Sequence, residues 1–128
     1  MDKTERYERG LAKLKEIYGE ETQALVTALG EVTPDLSRYV VEFAFGDIHC
    51  RTGLSLKSRE IATVAALTAL GTAPSQLRAH IRAALNVGCS QEEVVEVILQ
   101  MVLYAGFPAT INGMQAAKEV FAERAASK

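Results

Sequence analysis

Residues 61–70, none of which is charged, constrain the fold of this chain more than any other feature. Ser55 precedes the run and is able to cap the N-terminus of a helix, and Gly71 follows it as a typical helix end. A helix that is apolar on every side is normally buried on every side. The sequence therefore predicts a buried helix that begins after Ser55 and stops at Gly71.

Apolar residues recur at helical spacing along the rest of the chain. Tyr7, Leu11, Leu14 and Tyr18 follow the three- and four-residue steps of an amphipathic helix that ends near Gly19. Further helices are predicted over about 20–29, 34–46, 74–87, 91–105 and from 108 onward, with a loop over 47–54. Because no segment alternates like a strand, the predicted fold class is all-α, a helical bundle of about six to seven helices.

A short turn at residues 71–73 predicts that two helices form a central antiparallel hairpin. Glu60 then lies about 15 Å before the turn and His80 about 9 Å after it, an axial offset of about one helical turn. Long side chains on facing helices bridge such an offset, directly or through a water. An acid beside an imidazole suggests proton chemistry. The same residues also fit a core histidine bonded to a backbone carbonyl, with Glu60 salt-bridged at a helix start.

Composition and charge exclude several classes of function. The 128 residues are 48 % hydrophobic and 23 % charged, which is typical of one globular domain, here with peripheral helices over 1–32 and a core over 33–123. The net charge of −2 gives no reason to expect nucleic acid or an anionic membrane as a partner. Because no secretory signal is visible and cysteines are few, we expect a cytoplasmic protein in which Cys50 and Cys89 are unbridged.

Several side chains in and after the predicted loop are further candidates for catalysis or substrate binding. His49 and Cys50 fall in the predicted loop and could form a cysteine nucleophile with its base, although a free cysteine is usually a small hydrophobe. Arg51 and Arg59 are able to clamp a substrate carboxylate, or form surface ion pairs. The side chains that could be drawn as metal ligands lack the helical spacing of paired ligands, so no metal is predicted: Asp47, His49, Cys50, Glu60 and His80.

Four segments resemble the core of the carboxymuconolactone decarboxylase family: residues 42–47 (EFAFGD), 53–60 (GLSLKSRE), 77–86 (LRAHIRAALN) and 104–109 (YAGFPA). The likeness covers about residues 36–120. It implies an all-α protomer in a homo-oligomer, often a hexameric trimer of dimers. The apolar helices favour self-association too, since one thin layer of helices cannot cover so much hydrophobic surface.

This superfamily contains two chemistries. Its decarboxylase branch converts γ-carboxymuconolactone to β-ketoadipate enol-lactone without a cofactor. Its alkyl hydroperoxidase D branch reduces peroxides with a Cys-x-x-Cys pair, an upstream glutamate and a downstream histidine. Glu60 and His80 are similar in order and spacing to that glutamate and histidine, but residues 72–76 (TAPSQ) stand where the cysteine pair belongs. Without both thiols the usual peroxidase cycle has no electron carrier.

The resemblance therefore implies a cofactor-free lyase that acts on a carboxylated lactone or a related small acid. His80 would supply the proton, Glu60 would orient it, and Arg51 or Arg59, with His49 nearby, would hold a substrate carboxylate. Two alternatives remain open. One is a thiol-dependent peroxidase that uses Cys50 with a histidine base, and the other is a helical oligomer that binds a small acid without converting it.

Overall fold

The computed structural model describes residues 3–127, and every element in that part of the chain is helical. The α-helices are α1 (Glu5–Tyr18), α2 (Thr22–Leu29), α3 (Pro34–Tyr39), α4 (Leu56–Leu70), α5 (Pro74–Asn86), α6 (Gln91–Gln100) and α7 (Val102–Ala126). A 3₁₀ turn, Gly19–Glu21, precedes α2, and a π-helical segment, Val40–Ile48, continues α3. The predicted all-α class is thus confirmed. None of the helices within residues 3–127 combines the length and apolar character that a membrane crossing requires.

The chain contains two compact units, one up to Leu54 and the other from Ser55 onward. The predicted peripheral helices over 1–32 and core over 33–123 stay predictions. The expectation that the whole chain is one domain stays a prediction.

In the first unit, α1 packs closely on the π-helical segment. A Cβ added at Gly10 would lie 1.9 Å from the carbonyl oxygen of Val41, so only glycine allows this approach. Asp47 belongs to the segment and pairs with Arg6 at 2.7 Å and Arg9 at 3.2 Å. The predicted loop over 47–54 is therefore wrong at its start, because the helical turns continue through Ile48.

In the second unit, α4 to α7 enclose the hydrophobic core. The core residues share helical spacing on each element: Val64, Leu77, Ile81, Ala84, Cys89, Val94, Ile98, Ala116, Ala117 and Val120. Burial of a large aliphatic side chain contributes about 1.5–3 kcal/mol to stability. The helices α4 and α5 contact each other and are joined by the three residues 71–73, with Gly71 in the left-handed conformation (φ 70°). They form the predicted hairpin.

The caps on these helices agree with the sequence. Ser55 accepts a hydrogen bond from the amide of Ser58 at the start of α4, and Ser90 and Glu93 form the predicted capping box of α6. Gly106 has φ 84° and breaks the helical path inside α7. The last regular helical run therefore begins near Pro108, as predicted.

The expectation that α4 is buried on every side is wrong for the single chain. Glu60, Val64 and Thr68 are buried, at four-residue spacing, but Leu70 is 65 % exposed. Ala62 and Ala66 are exposed on the same helix. The reason is geometric, because the neighbouring helices of this unit cover only part of the circumference of α4.

Candidate functional site

Glu60 lies in the second turn of α4 and on its buried face. Its residue exposure is 0 %, and it shares the four-residue stripe of Val64 and Thr68. An isolated buried carboxylate is strongly disfavoured, so a partner is required to keep it charged. The position places an acid inside a wall of apolar side chains.

His80 supplies that partner from α5. Its Nδ1 atom lies 2.9 Å from Oε2 of Glu60, and its side chain is 16 % exposed. The imidazole lies on the border of the buried stripe formed by Leu77, Ile81 and Ala84. The structure thus brings together the acid and the imidazole that the sequence singled out, by the direct contact that the hairpin geometry allowed.

The contact fixes which imidazole nitrogen is available for chemistry. When the carboxylate of Glu60 is ionised it can only accept a hydrogen bond, and Nδ1 of His80 is then the donor. Nε2 is then the nitrogen that can gain or lose a proton. The carboxylate also orients the ring, as in other acid–imidazole pairs.

The second carboxylate oxygen of Glu60 has an unusual environment. Within the described part of the chain, Oε1 is buried and has no hydrogen-bond partner. Buried polar atoms are nearly always paired, and exceptions often have a catalytic role or bind a water or an ion. The carboxylate therefore retains one acceptor position beyond the one that His80 fills.

A cavity of about 200 Å³ lies near the turn of the hairpin. Its walls come from α4, α5 and α7 and include Leu67, Thr68, Leu77, Arg78, Ala116 and Glu119. The segment that replaces the cysteine pair contributes Ala73 and Pro74. Neither member of the acid–imidazole pair lines the cavity, which begins about one turn before His80 along α5.

Arg78 is the cation on the cavity wall. Its guanidinium lies 3.5 Å from Glu119 of α7 and also contacts Ser75. Arg82 pairs with Glu123 in the same way, at 3.4 Å. Both arginines therefore lean towards α7, whereas His80 leans towards α4.

Cys89 and Glu93 lie at the start of α6, where the pKa of each side chain is shifted. Burial raises the pKa of the Cys89 thiol, which is 6 % exposed, and the carboxylate of Glu93 adds to the effect. The backbone amide of Ser90 lowers the pKa of Glu93, and Lys57 at 3.1 Å acts in the same direction. The thiol is thus a packing group, and the carboxylate is a helix cap.

The remaining candidates have local partners of their own. The ring of His49 stacks on Phe45 with centroids 4.8 Å apart, and the thiol of Cys50 donates to the carbonyl oxygen of Phe45 at 3.1 Å. These two and Arg51 belong to the first unit, whereas Arg59 is half-buried at the start of α4 in the second. Their roles towards a substrate stay predictions.

Asp47 is one of the side chains that could be drawn as a metal ligand from the sequence. Its carboxylate is instead held by two arginines, and the hydrogen bond from Arg6 lowers the pKa of Asp47. Among residues 3–127 no three histidine, cysteine, aspartate or glutamate side chains cluster as ligands would. Asp47 is thus a structural anion in the first unit.

The sequence gives no sign of the cavity or of the pairing of Arg78 with Glu119. Residues from three helices form the cavity walls, so no local spacing marks them. The unpaired Oε1 of Glu60 was missed for the same reason, since a hydrogen-bond deficit depends on the three-dimensional surroundings. The only sequence signal near the cavity was the position of Ala73 and Pro74, between the hairpin helices.

Comparison with known proteins identifies the wider group. The sequence model of the carboxymuconolactone decarboxylase family matches residues 34–119. The chain is 37 % identical to a 4-carboxymuconolactone decarboxylase of Acinetobacter baylyi, over 94 % of this chain and 90 % of that protein. It is 35 % identical to an uncharacterized 15.0 kDa protein of Paracoccus denitrificans (75 % and 72 % covered). It is 29 % identical to a nitrosuccinic acid decarboxylase of Metarhizium robertsii (84 % and 76 % covered).

Proposed function

The chain belongs to the carboxymuconolactone decarboxylase family, and we propose that it is a cofactor-free carboxy-lyase. Two relatives are named decarboxylases, and their names describe different acids, a carboxylated lactone and nitrosuccinic acid. The proposed substrate is a carboxylated lactone or a related small acid. The observation that carries the proposal is the buried contact between Glu60 and His80.

The proposed reaction moves one proton and breaks one carbon–carbon bond. As CO₂ leaves, the electron pair of the broken bond delocalises through the unsaturated lactone towards its carbonyl oxygen, and a proton then adds to carbon. Protonated Nε2 of His80 delivers that proton, because Nδ1 is occupied by Glu60. General acid–base catalysis of this kind contributes about 10²- to 10⁴-fold to a rate.

Glu60 acts in this scheme as a positioning residue. Its buried carboxylate holds the ring of His80 in one orientation. Its unpaired Oε1 offers an acceptor for a buried water. These roles depend on the burial of the Glu60 carboxylate on the inner face of α4.

A cation that holds a substrate carboxylate completes the proposal. Arg59 is adjacent in sequence to Glu60, and Arg51 and His49 stay candidates from the sequence alone. A guanidinium binds a carboxylate through two parallel hydrogen bonds. Arg78 is not assigned this role, because it leans towards Glu119 on α7 and away from the side of α5 that carries His80.

We also propose that the protein self-associates, with a homohexamer built as a trimer of dimers as the expected form. Support comes from the large apolar side chains that the single chain leaves exposed, among them Leu70 and Phe107 at 65 % and 71 %. Contiguous exposed apolar surface commonly marks an interface. The expected location in the cytoplasm stays a prediction.

The test is an assay of the purified protein with a γ-carboxylated unsaturated lactone and with small nitro- and keto-dicarboxylic acids, in buffer containing a chelator. Release of CO₂ from any of them, slowed by about 10²- to 10⁴-fold in a His80→Gln variant, supports the lyase. Consumption of peroxide that is lost in Cys50→Ser would instead support the thiol-dependent alternative. Thermal stabilisation by an acid without CO₂ release would favour the non-catalytic binding protein.

A further inference from the structure

Five large apolar side chains around the start of α7 are exposed in the single chain. Four of them recur every four residues, and the fifth lies beside them: Leu99, Leu103, Phe107, Ile111 and Tyr104. Their exposed fractions are, in that order, 47 %, 73 %, 71 %, 61 % and 75 %. We call this set the α7 strip. Such a concentration differs from the single exposed apolar residues that ordinary surfaces contain.

The exposed area of the α7 strip is comparable to the apolar part of one side of a stable protein interface. An aromatic side chain offers about 150–250 Å² for burial, so the five side chains together expose roughly 500 Å². A standard interface buries about 800 Å² on each partner, and about 60 % of that surface is apolar. The strip alone therefore supplies the apolar part of one such half-interface.

The charge distribution around the strip favours a second copy of this chain over other partners. No residue between Glu96 and Lys118 is charged. A basic, acidic or phospholipid partner would be recognised through charges that this surface does not carry. A surface that meets its own copy around a two-fold axis needs no opposite charge, and the core of an interface is generally depleted of charge.

Leu99 lies at the end of α6, and the other members of the strip lie on both sides of the break at Gly106, so the strip spans more than one helical run. A surface that meets its own copy around a two-fold axis makes every contact twice. We infer that the α7 strip is the surface through which two copies of this chain associate. The inference rests on the self-association proposed above and does not depend on the lyase activity.

The experiment measures molar mass by size exclusion with light scattering at micromolar concentration. Ile111→Glu and Phe107→Glu each place a charge on the strip, and Val32→Glu is the matched control because Val32 is 97 % exposed and lies outside the strip. We expect wild type and the control to elute as the same oligomer. Each strip variant should lose at least a factor of two in mass, with unchanged helical circular dichroism.

A mixing arm separates a true contact from a loss of folding. Ile111→Glu and Ile111→Lys repel their own copies, but an equimolar mixture places opposite charges across the interface and should recover the wild-type mass. A monomeric wild type would refute self-association itself. An oligomeric wild type whose mass is unaltered by the strip variants, or altered equally by Val32→Glu, would overturn the strip as the interface. If Ile111→Glu does not fold, the same mass measurement is made on Leu103→Lys, because Leu103 is more exposed than Ile111.

Discussion

Nδ1 of His80 lies 2.9 Å from Oε2 of Glu60, across 20 positions of sequence and between two different helices. The contact depends on the hairpin of α4 and α5, because the turn at residues 71–73 sets the register of the two helices. It also depends on burial, since Glu60 is 0 % exposed. A pair that is both buried and directly bonded can hold one imidazole orientation, which is what proton transfer to a bound substrate requires.

The close approach of α1 to the π-helical segment predicts a strong effect of Gly10→Ala. The new Cβ would lie 1.9 Å from the carbonyl oxygen of Val41, so backbone would have to move. We expect a loss of about 3 kcal/mol in the free energy of unfolding, the upper part of the range for overpacking. Gly53→Ala is the control, because no described atom lies within 4 Å of its added Cβ. Equal urea midpoints for the two variants would contradict the packing.

Much of this fold could be predicted from the sequence because its helix ends are marked locally. Ser55, Gly71 and the Ser90–Glu93 capping box each act through hydrogen bonds to backbone within a few residues. The hairpin register followed from the length of the turn. The contact of Glu60 with His80 could be predicted for a similar reason, since it depends only on the rise of the two helices and on one short connection.

What could not be predicted depends on packing between distant elements. Residues 47 and 48 were expected in a loop, but the π-helical turns continue through them while Asp47 pairs with Arg6 and Arg9 of α1. The uncharged part of α4, residues 61–70, was expected to be buried on every side, but the single chain has too few helices to surround it. The cavity that Arg78 lines is formed by three helices, so no local pattern encodes it.

Glu93 predicts a dependence of stability on acid pH. Its pKa is lowered from the ordinary value of 4.5, mainly by the hydrogen bond from the Ser90 amide. A carboxylate with a lowered folded-state pKa stabilises the fold above its unfolded-state pKa, and this contribution disappears as the pH falls through the folded value. Glu93→Gln retains the oxygen acceptor but cannot titrate. Its melting temperature should therefore fall less than that of wild type between about pH 6 and about pH 3.

The neighbouring Glu92 provides the control for that experiment. Glu92 is exposed and lies outside the capping box formed by Ser90 and Glu93. Glu92→Gln should retain the acid sensitivity of wild type. If both glutamine variants flatten the pH profile equally, the effect reflects the net charge of the protein and not the capping box.

The two cysteines should differ in their reaction with iodoacetamide. Cys89 is 6 % exposed, and burial raises the pKa of its thiol, so little reactive thiolate forms near pH 8. Cys50 is half-buried and should be alkylated first. Peptide mass spectrometry after partial labelling gives the order, and unfolding in urea should remove the difference. An intrachain bridge between the two in freshly lysed, unreduced samples would contradict the expectation of free thiols and favour the redox alternative.

His80→Gln should separate a catalytic from a structural histidine. Glutamine keeps an N–H donor that can face Glu60, so the fold should survive. Turnover of whichever acid the wild type decarboxylates should fall about 10²- to 10⁴-fold. A histidine that only packs would show the opposite result, a loss of about 1–3 kcal/mol in stability with activity per folded molecule unchanged. Melting temperature and specific activity are measured on one preparation. Arg82→Gln is the control on the same helix, since its partner is Glu123 on the other side.

Glu60→Gln tests whether the carboxylate acts through the imidazole. The substitution keeps the buried volume but removes the charge that holds Nδ1, so turnover should fall, by less than in His80→Gln. If Glu60 only positions His80, the double variant should be no slower than His80→Gln alone, because residues that act as a unit have strongly non-additive effects. The measurement is kcat for the wild type, the two single variants and the double variant. Multiplicative losses would show that Glu60 touches the substrate independently, and its unpaired Oε1 would then be the atom responsible.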